Sequence, residues 1–448
     1  MTPHKPHCAR PQRGAASLLL TMVLLFSMSI VMLYLNRSLI FEQKTSANQM
    51  RSTAALETAE AGMEWVTGML NSPYDLTTDC SALSTTNISF RRKYVQTMWN
   101  DATSPTTDVV AATTTYPGCK ISGTTLTCSC PAVPGSGSVT ASLGTAVQPS
   151  FTVAFQAVAG DVEAVRVIVT GCTAQAGACT PATTGSSDAT ASISSILKLR
   201  ALLRAAPAAP LTCGTSCTVG GSFNVVNQDV ATGGILVNAG TAIASGNGVS
   251  YSSIPGQPTA NAQVSNDASL SSLASADPTC SNSNMFKSYF GSTIAQYADS
   301  PGVVTIRNCG SANTCGGLVD AEYAKGTRSF YFPDGFARNN SSGSLGSQSD
   351  PVTLVSNAGF NVNGNIDIYG MIFANDANTN DLGTGTANIH GALVTCAAYN
   401  NNGNGTLEYD ATALRGVRRS SAIFVRVAGS WTDRCVASTA NPPVFTCN

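Results

Sequence analysis

Charge is scarce in this chain of 448 residues, and aromatic residues are few. Charged residues make up 11% of the sequence, aromatic residues make up 7%, and the formal net charge is −1. A nearly neutral chain has no broad electrostatic attraction for nucleic acid, so we expect no nucleic-acid partner. A local basic cluster of Arg415, Arg418 and Arg419 is interpreted as a solvated edge.

Histidine is nearly absent as well, which removes most catalytic constellations. Only His390 follows the leader-like first 14 residues, so histidine-based triads and metal clusters have almost no material. The motifs G-x-x-x-x-G-K-[ST], G-x-S-x-G and H-E-x-x-H are also missing. We therefore predict a protein that is not an enzyme and has no cofactor. An enzyme of the β-helix type could still work with Asp, Arg and Lys, but no tight Asp/Glu pair recurs as two carboxylates across a sugar would require.

One uncharged run is long enough to cross a membrane. It covers residues 15–35, AASLLLTMVLLFSMSIVMLYL, and roughly 20 apolar residues span a bilayer core. Lys5, Arg10 and Arg13 precede the run, so the positive-inside bias keeps that end in the cytoplasm and predicts translocation of everything after Asn36. A cleaved signal peptide and a plain membrane anchor are alternatives, although no small-x-small cleavage site follows the run.

The helical pattern continues well beyond the apolar run. Proline is absent between residues 12 and 72, and Ser72-Pro73 supplies a stop signal. An apolar stripe recurs at three- and four-residue steps. Its members are Ala55, Ala59, Gly62 or Met63, Val66 and Leu70, and Glu57, Glu60 and Glu64 lie away from it. A continuous helix over 15–70 would be about 84 Å long, half of it in a membrane or fibre core and half on a globular head.

The junction Arg13-Gly14-Ala15 lies between a short basic leader and this helix. A leader that ends in Gly, followed by an apolar helix that runs on as an amphipathic helix, resembles a type IV prepilin. The segment 12–70 is similar to the N-terminal region of PilX-type minor pilins, which share an RGA junction, an EQ pair past the membrane and an Ala-rich segment ending in AEA, here 55–61. A looser similarity to large members of that group covers 197–227, LKLRALLRAAPAAPLTCGTSCTVGGSFNVVN.

The resemblance implies processing and assembly partners. A prepilin peptidase would remove the leader, residues 1–14, by cutting after Gly14, and Ala15 would become the new N-terminus. The intact helix would then contact the major pilin and other minor pilins, and a large tip adhesin is a further implied partner. The implied location is a single pass through the inner membrane with a periplasmic head, and afterwards the pilus or cell surface.

The first mature positions depart from the major-pilin pattern. Major pilins usually carry Phe first and Glu fifth, where this chain has Ala15 and Leu19. That Glu is thought to neutralise the N-terminal amine of a neighbouring subunit, because an unpaired charge in an apolar bundle is costly. Leu19 therefore argues against a bulk fibre subunit and favours a priming or tip position. The tip component of type II secretion pseudopili shows the same absence.

The cysteine content predicts an oxidised head. Of 15 cysteines, Cys8 lies in the leader, and the remaining even number fits disulfides formed in the periplasm or outside the cell. Four pairs are close enough in sequence to close local loops: Cys172 and Cys179, Cys213 and Cys217, Cys309 and Cys315, and Cys435 and Cys447. The pairing of the others stays open. Zinc is the competing interpretation, but paired C-x2-C spacing and accompanying histidines are missing.

The predicted fold class is α+β, with the long helix 15–71 followed by a β-rich head. A Gly-, Ser-, Thr- and Asn-rich composition favours short strands and turns. Residues 72–206 are expected to form a pilin-like part, in which a hairpin turning at Gly160 packs on the helix. Within this part, Ser194 to Arg204 is predicted as a short helix with Ile196, Leu199 and Leu203 on one side. Pro207 and Pro210 mark a boundary.

The part from 207 to 448 is predicted to be a β-helix or β-solenoid-like domain with a C-terminal cap. IYGMIF at 368–373 and IHGALV at 389–394 repeat the same order of residue types, which puts His390 in the place of Tyr369. Short apolar triplets separated by Gly and Asn suit stacked coils, because both residues tolerate the left-handed conformation of tight corners. Segment 278–346 is interpreted as an unlike insert, and SAIFVRVAGSWTDRC at 421–435 as a strand that closes or caps the array. An irregular β-sandwich is the alternative.

One segment resembles a calcium loop, Asp376-x-Asn378-x-Asn380. Oxygen atoms at alternate positions suit a hard cation. The sixth place holds Asp381 instead of Gly, and the twelfth holds Ala387 instead of a bidentate Glu. An Asn-rich surface turn is therefore the preferred interpretation, and calcium is kept as the one candidate cofactor.

Together these observations predict a minor pilin of a type IV pilus, which primes assembly or presents a large tip-proximal head for adhesion or self-association. The first alternative is the tip pseudopilin of a type II secretion system. The second is a membrane-anchored β-helix protein that binds or cleaves glycans.

Overall fold

The computed structural model has the predicted α+β architecture, a long N-terminal helix followed by a β-rich head. It describes residues 13–74, 76–81, 89–98, 108–111, 115–131, 139–140, 148–173, 179, 189–309, 315–376, 385–437 and 445–447. The helices are α1 Arg13–Asn71, α2 Phe90–Tyr94, α3 Ala268–Ala276, α4 Asn284–Phe290, α5 Ile294–Ala298, α6 Cys315–Ala324 and α7 Ala411–Ser420, with a 3₁₀ turn at Val230–Thr232.

The strands fall into two groups along the chain. Those of the first part are β1 Val95–Met98, β2 Asp108–Ala111, β3 Thr115–Tyr116, β4 Gly118–Ser122, β5 Thr125–Ser129, β6 Val139–Thr140, β7 Ser150–Val158, β8 Asp161–Cys172 and β9 Thr190–Arg200. Those that follow are β10 Leu211–Cys213, β11 Cys217–Val219, β12 Phe223–Val226, β13 Val237–Ala239, β14 Ile243–Ser245, β15 Ser250–Ser252, β16 Gln263–Val264, β17 Val303–Thr305, β18 Ser329–Phe332, β19 Phe336–Leu345, β20 Val352–Ser356, β21 Phe360–Ala374, β22 Thr386–Thr395, β23 Tyr399–Asn401, β24 Asn404–Glu408, β25 Ile423–Arg426, β26 Cys435–Ala437 and β27 Phe445–Cys447.

The first large sheet is antiparallel and carries the second half of α1. Its strand order is β25-β9-β8-β7-β4-β5. The predicted hairpin is confirmed, since β7 and β8 pair antiparallel on either side of the turn at Gly160, which has a φ of 80°. Phe151, Val153 and Phe155 alternate along β7, so their side chains point to the same face and enter the core beneath α1.

Strand β9 replaces the helix predicted from Ser194 to Arg204, so that prediction is wrong. Residues 190–198 pair antiparallel with β8. Ile193, Leu197 and Leu199 are buried, and their even spacing puts them on one face of a strand. Ile196 and Leu199 have helical spacing in the sequence but lie on opposite faces of β9, because side chains alternate along a strand. Pairing with β8 therefore decides the structure of a segment whose local pattern fits either form.

The second part of the head consists mainly of parallel strands. Leu211 pairs with Val237, Cys217 with Ile243 and Asn224 with Ser250, at a constant interval of 26 residues. The strands belong to a twelve-stranded sheet and a separate three-stranded sheet. Pairings among the described residues do not close these sheets on themselves.

The internal repeat predicted from the sequence is in register. Along β21 and β22, Ile368 pairs with Ile389, and Gly370 pairs with Gly391. Both glycines have positive φ, 138° and 144°, and a Cβ atom on Gly391 would lie 1.9 Å from the carbonyl oxygen of Gly370. Glycine at these two positions therefore permits the close stacking of neighbouring strands.

The chain enters the parallel array in its middle. Strand β10 pairs on one side with β13, which follows it closely in sequence, and on the other side with β22, which comes much later. Strands β11 and β12 make the same two kinds of pair, with β14 and β23 and with β15 and β24. Two runs of strands, 211–264 and 303–408, thus meet edge to edge. Helices α3, α4 and α5 connect them, and Phe286 and Phe290 of α4 pack against Phe373 of β21.

Two further expectations about this part are wrong. Segment 278–346 is not wholly an unlike insert, because it contributes β17, β18 and β19 to the parallel pairings. The tail segment 421–435 does not cap the array, because its strand β25 pairs antiparallel with β9 from Ile423↔Arg200 to Arg426↔Leu197. Both errors concern strand partners that are distant in sequence, which the local residue pattern does not specify.

Seven disulfides join all cysteines that follow the leader. Four of them are the local pairs singled out by spacing: Cys172–Cys179, Cys213–Cys217, Cys309–Cys315 and Cys435–Cys447. The other three are Cys80–Cys130, Cys119–Cys128 and Cys280–Cys396. The last has a sequence separation of 116 residues and ties the helical connection to the end of β22.

Candidate assembly helix and its seat on the head

The N-terminal half of α1 is an exposed apolar rod. Within the described ranges, α1 is the one helix long and apolar enough to cross a membrane, and its most apolar 18-residue window has a mean hydropathy of 2.5 with no residue buried by the head. Leu19 is 66% exposed and Phe26 is 73% exposed. Soluble monomers rarely expose a continuous apolar surface of this size, so the exposure is consistent with a half of α1 that a membrane or other helices cover.

Three hydroxyl groups of the rod, those of Thr21, Ser27 and Ser29, form hydrogen bonds within it. The hydroxyl of Thr21 donates to the carbonyl of Leu18 at 2.9 Å, and the hydroxyl of Ser29 donates to the carbonyl of Leu25 at 2.8 Å. Such bonds to the preceding turn hide a hydroxyl from an apolar surrounding. The rod therefore presents hydrocarbon to its neighbours although it contains serine and threonine.

The residues of the predicted cleavage site lie at the start of this rod. Gly14 and Ala15 belong to the first turn of α1, which begins at Arg13. Leu19 follows about one turn later and leaves an apolar side chain where a major pilin would offer a carboxylate. Cleavage after Gly14 stays a prediction.

The second half of α1 lies on the first sheet through the stripe expected from the sequence. Ala55, Ala59, Val66 and Leu70 are fully buried, and Met63 is 2% exposed. Ala59, Met63, Val66 and Leu70 share one core with residues of β7, β8 and β9. The glutamates predicted to lie away from the stripe are exposed: Glu57, Glu60 and Glu64.

Two glycines set the distance between α1 and the sheet. A Cβ atom on Gly171 of β8 would lie 2.2 Å from the carbonyl oxygen of Ala55 and 2.6 Å from the amide nitrogen of Ala59. A Cβ atom on Gly62 of α1 would lie 2.6 Å from a methyl carbon of Val169. The helix backbone and the sheet backbone therefore approach to a distance that only glycine allows at these points.

An aromatic cluster fills the space beside this contact. The ring centroids of Trp65 and Phe90 lie 5.5 Å apart, and those of Phe90 and Tyr94 lie 4.7 Å apart. Phe155 extends the cluster at 6.1 Å from Phe90. Ring pairs at such distances add to the stability given by burial. Helix α2 is thereby joined to α1 and to β7.

Two ionisable groups at the base of this core have polar partners. The ammonium of Lys93 donates to the carbonyl of Cys130 at 2.7 Å, and burial lowers the pKa of Lys93. The hydroxyl of Tyr94 donates to the carbonyl of Pro131 at 2.7 Å, and burial raises the pKa of Tyr94. Both of these groups are thus hydrogen-bonded, which offsets the cost of burying them.

The C-terminal end of α1 is held by contacts that the sequence did not reveal. The side-chain amide of Asn71 donates to the carbonyl of Phe424 at 3.0 Å, and its oxygen accepts from the amide of Phe424 at 2.7 Å. The guanidinium of Arg91 donates to the carbonyls of Leu70 and Ala422 at 3.1 Å and 2.7 Å. A cation at the C-terminus of a helix can donate to the unpaired carbonyls of the last turn, and it is attracted by the negative end of the helix dipole. Phe424 and Ala422 lie more than 300 residues away from Asn71 and Arg91 in sequence, so no local signal points to these two contacts.

The one histidine outside the leader takes part in a ladder of side chains on the parallel array. The ring of His390 stacks on that of Tyr369 with centroids 4.4 Å apart. Its Nδ1 atom lies 2.9 Å from Oε2 of Glu408, and its Nε2 atom lies 4.0 Å from Oδ1 of Asp367. The two aromatic rings thus occupy equivalent places in the repeat, as predicted.

The calcium-loop prediction falls largely outside the described residues. Asp376 follows β21 directly, whereas Asn378 and Asn380 lie outside the described ranges. In the part of the chain that the structure describes, no group of three His, Cys, Asp or Glu residues is placed to hold a metal ion. Calcium binding stays a prediction.

Comparison with known proteins assigns the N-terminal segment. Residues 13–64 match the family described as PilX N-terminal, which confirms the resemblance to PilX-type minor pilins over that segment. No curated protein matches the chain. The crystal structure of the competence-associated pilin ComZ from Thermus thermophilus is similar at 11% identity over 86% of this chain and 97% of that chain, with a TM-score of 0.20. That TM-score is too low to indicate a shared overall fold.

Proposed function

We propose, on the premise that residues 13–64 are a PilX-type segment, that this protein is a minor pilin of a type IV pilus. The observation that carries the proposal is the division of α1 into two halves. The described side chains between residues 16 and 50 are exposed, whereas the stripe from Ala55 to Leu70 is buried on the first sheet. Such a helix buries its free half first in a membrane and then among the helices of other pilins, while the head stays unchanged.

The proposed life cycle begins in the inner membrane with the head in the periplasm. An oxidising compartment fits seven disulfides in the part of the chain after the helix. A prepilin peptidase then cuts after Gly14 on the cytoplasmic side, and the subunit moves into the pilus at the cell surface. There α1 contacts the major pilin and other minor pilins.

We place the subunit at the start or tip of the fibre because of Leu19. A leucine offers no partner for the N-terminal amine of an adjacent subunit, and an unpaired charge inside an apolar bundle is costly. The first subunit of a fibre has no such neighbour to satisfy. This position suits a subunit that primes assembly.

We propose that the head presents a binding surface for adhesion or self-association, alone or together with a large tip adhesin. We interpret its parallel array as a β-solenoid. Support comes from β10, β11 and β12, each of which pairs with a strand 26 residues later, as the three sides of one coil would. We propose a binding role and no catalysis, and we assign the stacking of His390 on Tyr369 and its contact with Glu408 to the stability of the array.

Fractionation of cells that carry defined variants tests the proposal. The wild-type chain is expected in filaments sheared from the surface, and Gly14→Val is expected to stay in the inner membrane because the cut is blocked. Gly68→Ala serves as the matched control, since Gly68 has no atom within 4 Å of an added Cβ. A wild-type chain that is absent from sheared filaments, or an uncut Gly14→Val chain that is present in them, would refute the proposal. Loss of protein secretion with normal pili in a deletion strain would favour the type II pseudopilus instead.

A further inference from the structure

A basic cavity lies where α7 meets the end of β9. Its volume is about 340 Å³, and four arginines line it, Arg204, Arg415, Arg418 and Arg419. Glu163 is the one carboxylate among the lining residues. The sequence suggested a solvated edge for the three arginines of α7, but it gave no sign that Arg204 joins them.

Helix α7 fixes three of these arginines on one face. The Asp410 side chain accepts hydrogen bonds from the amides of Thr412 and Ala413 and so caps the helix N-terminus. Leu414 and Val417 are buried against the parallel array. Residues 415, 418 and 419 have the three- and four-residue spacing of one helix face, so their side chains share the side that looks into the cavity.

The fourth arginine is held by its backbone. The amide of Arg204 donates to the carbonyl of Tyr289 at 2.7 Å. Tyr289 belongs to α4, whose C-terminal cap at Gly291 has a positive φ of 66°. This wall of the cavity therefore depends on α4 and not on α7.

Positive charge in the cavity exceeds negative charge. In the described part of the chain, Arg204, Arg415 and Arg418 form no ion pair with a carboxylate, and Arg415 donates to the hydroxyl of Thr412 at 3.1 Å. Burial, and after it the neighbouring charge of Arg415, lowers the pKa of Arg419. Four guanidinium groups near one carboxylate form a site whose charge an anion would neutralise.

We propose that this cavity binds an acidic polysaccharide through its uronate carboxylates. Guanidinium groups bind carboxylates through paired hydrogen bonds. Glu163 would accept hydrogen bonds from the hydroxyl groups of the sugar. Single-stranded nucleic acid is a poorer match, because binding it relies on aromatic stacking platforms and the described lining residues include no aromatic side chain. The volume falls within the range of roughly 300–1,000 Å³ typical of small-ligand sites, which suits one or two sugar units.

The use of this cavity in adhesion depends on the proposed function, but binding itself does not. A chain that binds acidic glycan and never enters filaments would refute the pilin proposal and leave the cavity assignment standing. A chain that enters filaments and binds no acidic glycan would do the opposite.

Binding of the full chain in detergent to polygalacturonate tests the assignment. We expect saturable binding, an affinity at least about tenfold lower for Arg415→Gln/Arg418→Gln, and no binding to neutral dextran. Arg307→Gln/Arg434→Gln is the matched control, because it removes two exposed arginines elsewhere on the head. Arg204→Gln lies outside α7 and is expected to weaken binding in the same way, so it provides the readout if the double variant fails to fold.

Several results would overturn the proposal. The first is absence of binding to polygalacturonate. The second is a loss that is equal in the control and in the Arg415→Gln/Arg418→Gln variant, which would indicate non-specific charge attraction. The third is tighter binding of single-stranded or duplex DNA than of polygalacturonate with the same dependence on Arg415 and Arg418, which would assign the cavity to nucleic acid.

Discussion

The side-chain amide of Asn71 pairs with the backbone of Phe424 in both directions, with distances of 3.0 Å and 2.7 Å. Through this pair the last residue of α1 acts like one more strand residue beside β25. The same strand pairs with β9 on the sheet that carries α1. After the parallel array, the chain therefore returns to the first sheet, where β25 holds the C-terminal end of α1 through Asn71.

Replacement of Asn71 should show how much the two hydrogen bonds between Asn71 and Phe424 stabilise the head. Asn71→Leu removes both hydrogen bonds and leaves two buried backbone groups of Phe424 without partners, which should cost about 2–3 kcal/mol. Thermal and urea unfolding of the full chain in detergent measures the loss. Asn247→Leu changes an exposed loop asparagine and should cost little by comparison. If the two substitutions lowered the free energy of unfolding equally, Asn71 would not hold α1 to β25.

Two glycines of α1 should respond to alanine in opposite directions. Gly62→Ala places a methyl group within 2.6–2.7 Å of Val169 and Phe151 and should destabilise the head by roughly 1–3 kcal/mol. Gly68→Ala meets no atom within 4 Å and should stabilise the exposed helix by about 0.5–1 kcal/mol. The melting temperatures of the two variants are compared under the same conditions. A stabilising Gly62→Ala would mean that α1 does not lie on the sheet as closely as described.

The disulfides should differ in what they contribute. The Cys280–Cys396 bond closes a loop with a separation of 116 residues, whereas Cys213–Cys217 has a separation of 4. Since a longer loop restricts the unfolded chain more, Cys280→Ala/Cys396→Ala should cost about 3–5 kcal/mol and Cys213→Ala/Cys217→Ala clearly less. All four cysteines are buried, so the cavities left behind are comparable. Urea unfolding that ranks the two double variants the other way would refute this account of the connection between the helices and the array.

What the sequence predicted correctly depends on short-range pattern. The stripe from Ala55 to Leu70 follows from helical spacing, the hairpin around Gly160 from alternation, and the pairing of Ile368 with Ile389 from a repeat. Each of these signals lies within a few turns or one repeat length. The long apolar segment is the strongest of them and is also the part that matches a known family.

What the sequence did not predict depends on partners that are distant along the chain. Strand β9 has helical spacing at Ile196 and Leu199 and becomes a strand because β8 and β25 lie on either side of it. Nothing near β10 indicates that its second neighbour is β22. The cavity at Arg204 arises in the same way, since α4 and α7 place their residues together only in the folded head.

Leu19→Glu tests the proposed position in the fibre. With a carboxylate at residue 19, the subunit could neutralise the N-terminal amine of a neighbouring subunit, as positions in the shaft require. We therefore expect the variant to be incorporated along the shaft as well as at the tip. Immunogold labelling of filaments counts the labels at ends and along shafts. Leu20→Glu, one residue further on the same exposed rod, is the control, and its label should not be found along the shaft. Wild-type label along the whole shaft would contradict the tip assignment.

The most direct test of the central claim is the N-terminal sequence of the chain recovered from cells and from sheared filaments. If α1 is an assembly helix released by a cut after Gly14, the chain from both sources should begin at Ala15. A chain in filaments that still begins at Met1, or that begins beyond the apolar rod, would contradict the account.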